Sequence, residues 1–312
     1  MGTRTRGLPT DNGRAYEWAV ARELSAQVSC EIELDNTALN AKKAFEAASP
    51  QGQQHFVRSA SVAVKHILEL QQIPLGVYEP LKVWMPPDSA GQKGDVRDVI
   101  LICKDYAFGI SCKNNHEAYK HSRLSGRLDW VKKWGLDQTG CSEEYWQSVK
   151  PVFDELTSIR ALSGGTALFS TIPNLHETVY EPVLSAFQTE LYRVFHSSLE
   201  PALAVESFVK YIIGAKDFFK VISRGNAVTV QKFNFSNSLA GSRSHLPTKL
   251  IGLDRQEGSA HSINVRFDRG YVFNLRIHSA SSKVESSLKF DIQAIGLPST
   301  EIYRHQIGLE NL

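Results

Sequence analysis

Residues 94–125 read GDVRDVILICKDYAFGISCKNNHEAYKHSRLS, and the folding of this stretch decides how the rest of the chain is read. Asp98 opens the apolar run Val99-Ile100-Leu101-Ile102, the polar Lys104-Asp105-Tyr106 interrupts it, and a second run extends from Phe108 to Lys113. Two short apolar runs around a polar break predict a β-hairpin. A turn centred on Asp105 and Tyr106 sets Asp98 across from Lys113 and Ile100 across from Ser111. Side chains alternate along a strand, so Asp98, Ser111 and Lys113 emerge on one face. A carboxylate and an ammonium converging at the end of two strands can hold a divalent metal and orient a water at a phosphate. The same pair also fits a plain cross-strand ion pair at a sheet rim, which stabilises little.

Composition frames the partners. The chain has 312 residues, 42% hydrophobic and 22% charged, enough for one large domain or two closely packed ones. The net charge is only +2, so an anionic partner must meet local patches rather than a global field. Residues 91–134 carry nine Lys or Arg against five Asp or Glu, and residues 215–250 carry six against one. Such stretches suit a phosphate backbone, although a charge run also serves as a solvated face. The four cysteines, Cys30, Cys103, Cys112 and Cys141, form no C-x-x-C pair. That argues against a structural zinc site and for a reducing, cytoplasmic setting. The opening MGTRTRGLPTDNG has no apolar signal region, and no run approaches the length of a membrane span.

Along the chain, a first helix is expected from about Arg14, after an Asp11-Asn12-Gly13 turn. Glu17 stands in line with the apolar stripe Ala21, Leu24 and Val28. A carboxylate on a core-facing stripe needs a partner, either a site it helps to build or a nearby Arg at the domain edge. Helical periodicity recurs over 38–47 and 54–71, and a short strand over 81–84. A helix is expected from Asn114, started by the capping-box spacing of Asn114 and Glu117. On it His116, Lys120, Arg123 and Arg127 would form a basic ridge, suited to phosphate or to an exposed ion-paired face. His116 and His121 are poorly spaced as joint metal ligands. Further helices are expected over 143–162, interrupted at Pro151, and over 182–195 and 201–213. Strands follow over 227–233, 263–267, 271–277 and 288–295, with a turn at Asp268-Arg269-Gly270. Ser163-Gly164-Gly165 is the expected joint, dividing the chain into 1–163 and 164–312. The fold class is mixed α/β (α+β).

Asp98 followed by the strand element Ser111-x-Lys113, with Glu17 on an early helix, resembles the PD-(D/E)xK nuclease superfamily. The phrases GDVRDVI, GISCKNNHEAYKHSRLS and NLRIHSASSKVESSLKFDI are similar to the HaeIII type of type II restriction endonucleases. The resemblance implies a nuclease core over 1–163, built on a small mixed sheet flanked by helices, with an added α+β DNA-recognition region over 164–312. It also implies Mg²⁺-dependent, sequence-specific cleavage of double-stranded DNA at the palindrome GGCC to blunt ends. On the same ground Asp98 is the first metal ligand and the main-chain carbonyl of Cys112 a second. Ser111 departs from the superfamily pattern, which has an acid there. Glu17 is expected to supply the missing charge, with Glu117 as runner-up. A lysine at its reference pKa of about 10.4 is not a free base unless burial depresses it, so Lys113 is expected to orient the attacking water and stabilise charge on the phosphorane.

A G·C-rich target favours Arg and Lys donors in the major groove. Candidates are Arg224, Arg266, Arg269, Arg276 and Lys283, with Asn274 and His278 as neighbours; Arg276 and His278 share one strand face, which ordinary solvent-facing polarity would also explain. A palindrome suits a homodimer, at least on DNA, and a cognate methyltransferase is implied by the function. Two other readings keep the same hairpin: a structure-selective nuclease of repair or resolvase type, and a DNA-binding protein with a dead site.

Overall fold

A computed structural model describes residues 9–72, 81–87, 89–92, 94–103, 106–119, 121–134, 140–279 and 281–310. The elements begin with α1 (Pro9–Val28), β1 (Glu31–Ile32), α2 (Asn36–Ala47), α3 (Pro50–Gln71), β2 (Lys82–Trp84) and α4 (Ser89–Gln92). The hairpin strands β3 (Val99–Cys103) and β4 (Tyr106–Asn114) follow, then β5 (His121–Ser125), α5 (Glu143–Leu162), α6 (Glu181–Ser197) and α7 (Pro201–Ile213). The remaining strands are β6 (Phe218–Arg224), β7 (Ala227–Phe233), β8 (Leu250–Arg255), β9 (Ser262–Phe267), β10 (Val272–Ser279), β11 (Ser287–Gly296) and β12 (Tyr303–Gly308). The mixed α/β class is as expected.

These elements form two compact units that are not the sequential segments 1–163 and 164–312. The first draws on Met1–Glu117, Ala215–His245 and Ser299–Leu312, the second on Ala118–Gly214 and Leu246–Pro298. The reason lies in strand pairing. β4 takes as its neighbour β6, more than a hundred residues later, and β7 and β12 extend the same sheet. The expected joint at Ser163-Gly164-Gly165 instead closes α5 within the second unit, where Gly164 and Gly165 take φ of +58° and +77°, a conformation that suits glycine.

The first unit is a seven-stranded mixed sheet in the order β1-β2-β3-β4-β6-β7-β12. The β1–β2 and β4–β6 pairs are parallel and the others antiparallel. One face is apolar: Val99, Leu101, Phe108, Ile110, Cys112, Phe219, Val221, Val228 and Val230 are buried with Ala19, Val20 and Leu24 of α1 and Phe56, Ala60, Val64 and Ile67 of α3. Full burial of each such large side chain is worth about 1.5–3 kcal/mol. Alternation sends Ser111, Lys113, Lys220 and Gln231 to the opposite face. α1 starts at Pro9 rather than near Arg14, because Asp11 takes its first turn and Gly13 is absorbed into the helix.

The second unit carries an antiparallel sheet in the order β5-β11-β10-β9-β8. Its apolar face (Leu124, Ile263, Val265, Phe273, Leu275, Ile277, Leu288, Phe290 and Ile292) is buried. Phe187 of α6 packs its ring 4.5 Å from those of Trp130 and Phe290. α5 runs through Pro151 without a break, since Tyr145, Val149, Phe153 and Leu156 bury both of its halves; tertiary packing overrides the lost hydrogen bond.

The helix expected from Asn114 does not form. Residues 115–119 are irregular, and residues 121–125 form β5, paired with β11 from Ser125↔Ser287 to His121↔Asp291. A strand partner about 160 residues away outcompetes the local helical pattern. The basic ridge through His116, Arg123 and Arg127 is therefore absent, and Lys120 lies outside the described residues. Among the described residues no helix is long and apolar enough to cross a membrane.

Candidate active site

The hairpin pairs Val99 with Ile110, Leu101 with Phe108 and Cys103 with Tyr106. This register is displaced by two from the expected one: residue 98 falls opposite 111, and its N–H donates to the Ile110 carbonyl at 2.8 Å. Lys104 and Asp105, part of the expected turn, lie outside the described residues. A slip of two leaves every side chain on its original face, so Asp98, Ser111 and Lys113 still converge. The Lys113 ammonium stands 3.6 Å from Asp98 Oδ2. The Cys112 amide donates to the same oxygen at 2.7 Å and the Ser111 hydroxyl at 3.2 Å. Lys113 and Asp98 are partly buried, so their attraction is less screened than that of a rim pair.

Glu17 reaches the same neighbourhood from α1. The Cys112 thiol faces the α1 side of the sheet, and its pKa is pushed well above the ordinary thiol range. Burial is the main cause, the negative charges of Asp98 and Glu17 add to it, and Lys113 acts in the opposite sense. The two carboxylates thus sense one buried atom. Glu117 behaves differently. It is exposed, starts no helix, and its Oε1 accepts from Arg224 Nη1 at 3.3 Å.

Lys220, which sequence reasoning missed, is fully buried on the polar face of the first sheet. It is the Cα partner of Ser111 across the parallel β4–β6 pair, and its Nζ donates to the Glu117 carbonyl at 2.5 Å. Burial drives its pKa well below the ordinary lysine range, the charges of Lys113 and Arg304 add to that, and Glu117 opposes it. In the sequence Lys220 is simply a lysine inside the apolar run Phe218-Phe219-Lys220-Val221-Ile222, a pattern shared by lysines that snorkel to an edge.

The DNA-contact candidates divide between the units. His116 and Arg224 are exposed in the first. In the second, Asn274, Arg276 and His278 share the outward face of β10, as expected. Arg276 pairs with Asp291 at 3.0 Å, and the Asn274 amide donates to Gln256 at 2.8 Å and Asn264 at 2.9 Å. Arg123, on β5, reaches Glu285 at 3.1 Å and Ser287 at 3.0 Å. Arg266 is ion-paired with Asp254. Arg127 is exposed in the turn after β5, and Arg269 occupies the left-handed position of the turn between β9 and β10 with φ of +57°. Lys283 is exposed beside a bridge to Leu168. The His278 imidazole is pushed below its ordinary pKa by burial and by Lys289 and Arg276, against Asp291.

Among the described residues no three His, Cys, Asp or Glu side chains cluster as a metal cage. The donors near the hairpin are two carboxylates, a hydroxyl and main-chain carbonyls. All are oxygens, and one or two carboxylates suffice for a hard divalent cation that keeps most of its waters.

The comparisons agree with this chemistry. The family model for the HaeIII restriction endonuclease matches residues 13–298. The type II restriction enzyme HaeIII of Haemophilus aegyptius is 30% identical over 313 aligned positions, covering 94% of this chain and 96% of that enzyme. No solved structure matches. With the family model spanning nearly the whole chain and a relative aligned almost end to end, the chain belongs to the HaeIII restriction endonuclease family and is a DNA-binding type II site-specific endodeoxyribonuclease.

Proposed function

We propose that the enzyme cuts double-stranded DNA at GGCC, centrally and to blunt ends, with Mg²⁺ held by Asp98, Glu17 and the main-chain carbonyl of Cys112. The observation that carries this site is the convergence of Lys113 Nζ and the Ser111 and Cys112 donors on Asp98 Oδ2. When bound, the cation supplies Lewis-acid charge to the scissile phosphate. The Lys113 ammonium, steered by Asp98, donates to a non-bridging phosphate oxygen and to the attacking water. It thereby stabilises the charge that grows on the phosphorane and aligns the nucleophile. Ser111 orients the Asp98 carboxylate rather than replacing an acid, and Glu17 supplies the second negative charge. Glu117 remains the alternative acid.

The reading surface we propose is the outward face of the second unit's sheet. Arg123, Asn274, Arg276 and His278 lie on that face, with Arg127, Arg269 and Lys283 in flanking turns and loops and His116 and Arg224 on backbone phosphates. Carboxylate partners such as Asp291 hold an Arg fork in one orientation, which suits bidentate donation to guanine. A palindrome calls for two copies of the chain on each site, and a methyltransferase of the same specificity would protect host DNA in the cytoplasm. Family membership supports neither a structure-selective nuclease nor a non-cutting DNA-binding protein. The test is a plasmid digest with Mg²⁺ followed by sequencing of the ends. Blunt termini ending in GG and beginning with CC are expected; any other terminus refutes the assigned target.

A further inference from the structure

Lys220 is the one Lys or Arg that is fully buried among the described residues. Burying an amine is costly unless its hydrogen bonds compensate, and a methionine would fill a similar volume without that cost. What the amine contributes is therefore sought in what it touches. It donates to the Glu117 carbonyl at 2.5 Å. Two further bonds from β6 land on the same short segment: the Ser223 carbonyl accepts from Asn115 N–H at 2.8 Å, and Arg224 Nη1 donates to Glu117 Oε1 at 3.3 Å. Pairing of β4 with β6 ends at Asn114↔Ser223. Beyond it the chain leaves the sheet through Asn115, which has φ of +60°. Lys113 is the second-last residue of β4, so the direction of its side chain depends on how firmly this exit is held.

We propose that Lys220 is a positioning residue of the nuclease site, fixing the end of β4 through the Glu117 carbonyl so that Lys113 stays directed at Asp98. The inference rests on the roles proposed above for Asp98 and Lys113. Of the bonds just described, that of Lys220 is made from the buried interior of the face that carries Ser111 and Lys113. The Arg224 bond is exposed and weak by comparison.

The test uses the full chain and a duplex bearing the site that the wild-type enzyme cuts. Single-turnover cleavage with Mg²⁺, equilibrium binding without divalent cation, and thermal melting are measured for Lys220→Met, Lys113→Ala and the double variant. Lys220→Met is expected to cut about 10²-fold more slowly, the loss typical of a misplacement of about 1 Å, with binding unchanged and no lower melting point. Since Lys220 acts through Lys113, the double variant is expected to be no slower than Lys113→Ala alone. A wild-type rate for Lys220→Met, or equal and additive losses in the double variant, overturns the proposal. Wild-type cutting by Lys113→Ala would instead bring down the site reading beneath it. Should Lys220→Met not fold, Lys220→Gln takes its place. Its amide falls one atom short of the Glu117 carbonyl, so a slower rate supports the proposal and a wild-type rate overturns it.

Discussion

Asp98 Oδ2 gathers an amide, a hydroxyl and an ammonium at 2.7, 3.2 and 3.6 Å, and each donor has its own chemical weight. The amide is fixed by the sheet and survives any side-chain change. Asp98→Ala and Lys113→Ala are accordingly expected to leave duplex binding intact and to lower the single-turnover rate by at least about 10²–10³-fold; full activity in either removes that residue from the site. Glu17, whose charge acts on the Cys112 thiol together with that of Asp98, is the second acid of the proposed metal site. Glu17→Gln is expected to raise the Mg²⁺ concentration needed for half-maximal rate by about tenfold, with the rate recovering at saturating metal. An unchanged metal titration would transfer the role to Glu117. The grouping of Asp98, Ser111 and Lys113 was legible because a strand's two-residue period survives a two-residue error in register. Lys220 was not legible, since nothing local distinguishes a lysine within an apolar run from one snorkelling to an edge.

Elements with strong local signals were read well, and those stabilised from afar were not. α2 and α3 lie where helical periodicity over 38–47 and 54–71 was expected, though the caps Asp35 and Ser49 move their starts back to Asn36 and Pro50, and the Asp268-Arg269-Gly270 turn joins β9 to β10 as its residues require. β5 was misread because its pairing residues in β11 are invisible to any short window. β6 was not assigned as a strand because it is buried on both faces and shows no alternation. In β10, Arg276 offers a direct test of base reading. Arg276→Ala is expected to reduce cleavage efficiency at the cognate site by about 1–3 kcal/mol while cleavage of one-base variants falls less. A uniform loss would mark it as a phosphate contact instead. The start of α5 carries a pH dependence. Buried Glu190 accepts from Ser142 N–H and Oγ, both at 2.8 Å, and pairs with Arg193 at 2.6 Å. Burial alone would raise its pKa, but the bonds from Arg193 and Ser142 outweigh it and hold the carboxyl below the ordinary glutamate range. A depressed folded-state pKa gives stability that is present above the unfolded value, about 4.3, and lost as pH falls through the folded one. Melting of the wild type is therefore expected to drop more steeply below about pH 4.3 than that of Glu190→Gln; parallel curves would contradict this.

At the scale of the molecule, two compact units share one chain that passes between them four times. The β3–β4 hairpin and the β10 face belong to different units, so substitutions in one are expected to combine additively with those in the other for folding stability. The palindromic target proposed above would call for a two-fold arrangement. Sedimentation of the enzyme with a duplex carrying one site, in the absence of divalent cation, is expected to give two chains per duplex; one chain per duplex would mean that the strands are cut in separate encounters. The alternation between units also has a consequence during synthesis. Glu117, just past the end of β4, emerges from the ribosome 103 residues before Lys220, whose ammonium donates to its carbonyl, an interval of roughly 5–20 s at about 5–20 residues per second. Through that interval the nascent hairpin presents an open hydrogen-bonding margin, the kind of surface that holdase chaperones cover. The sheet that carries Asp98 and Lys113 is thus closed only once β6, β7 and β12 have been made.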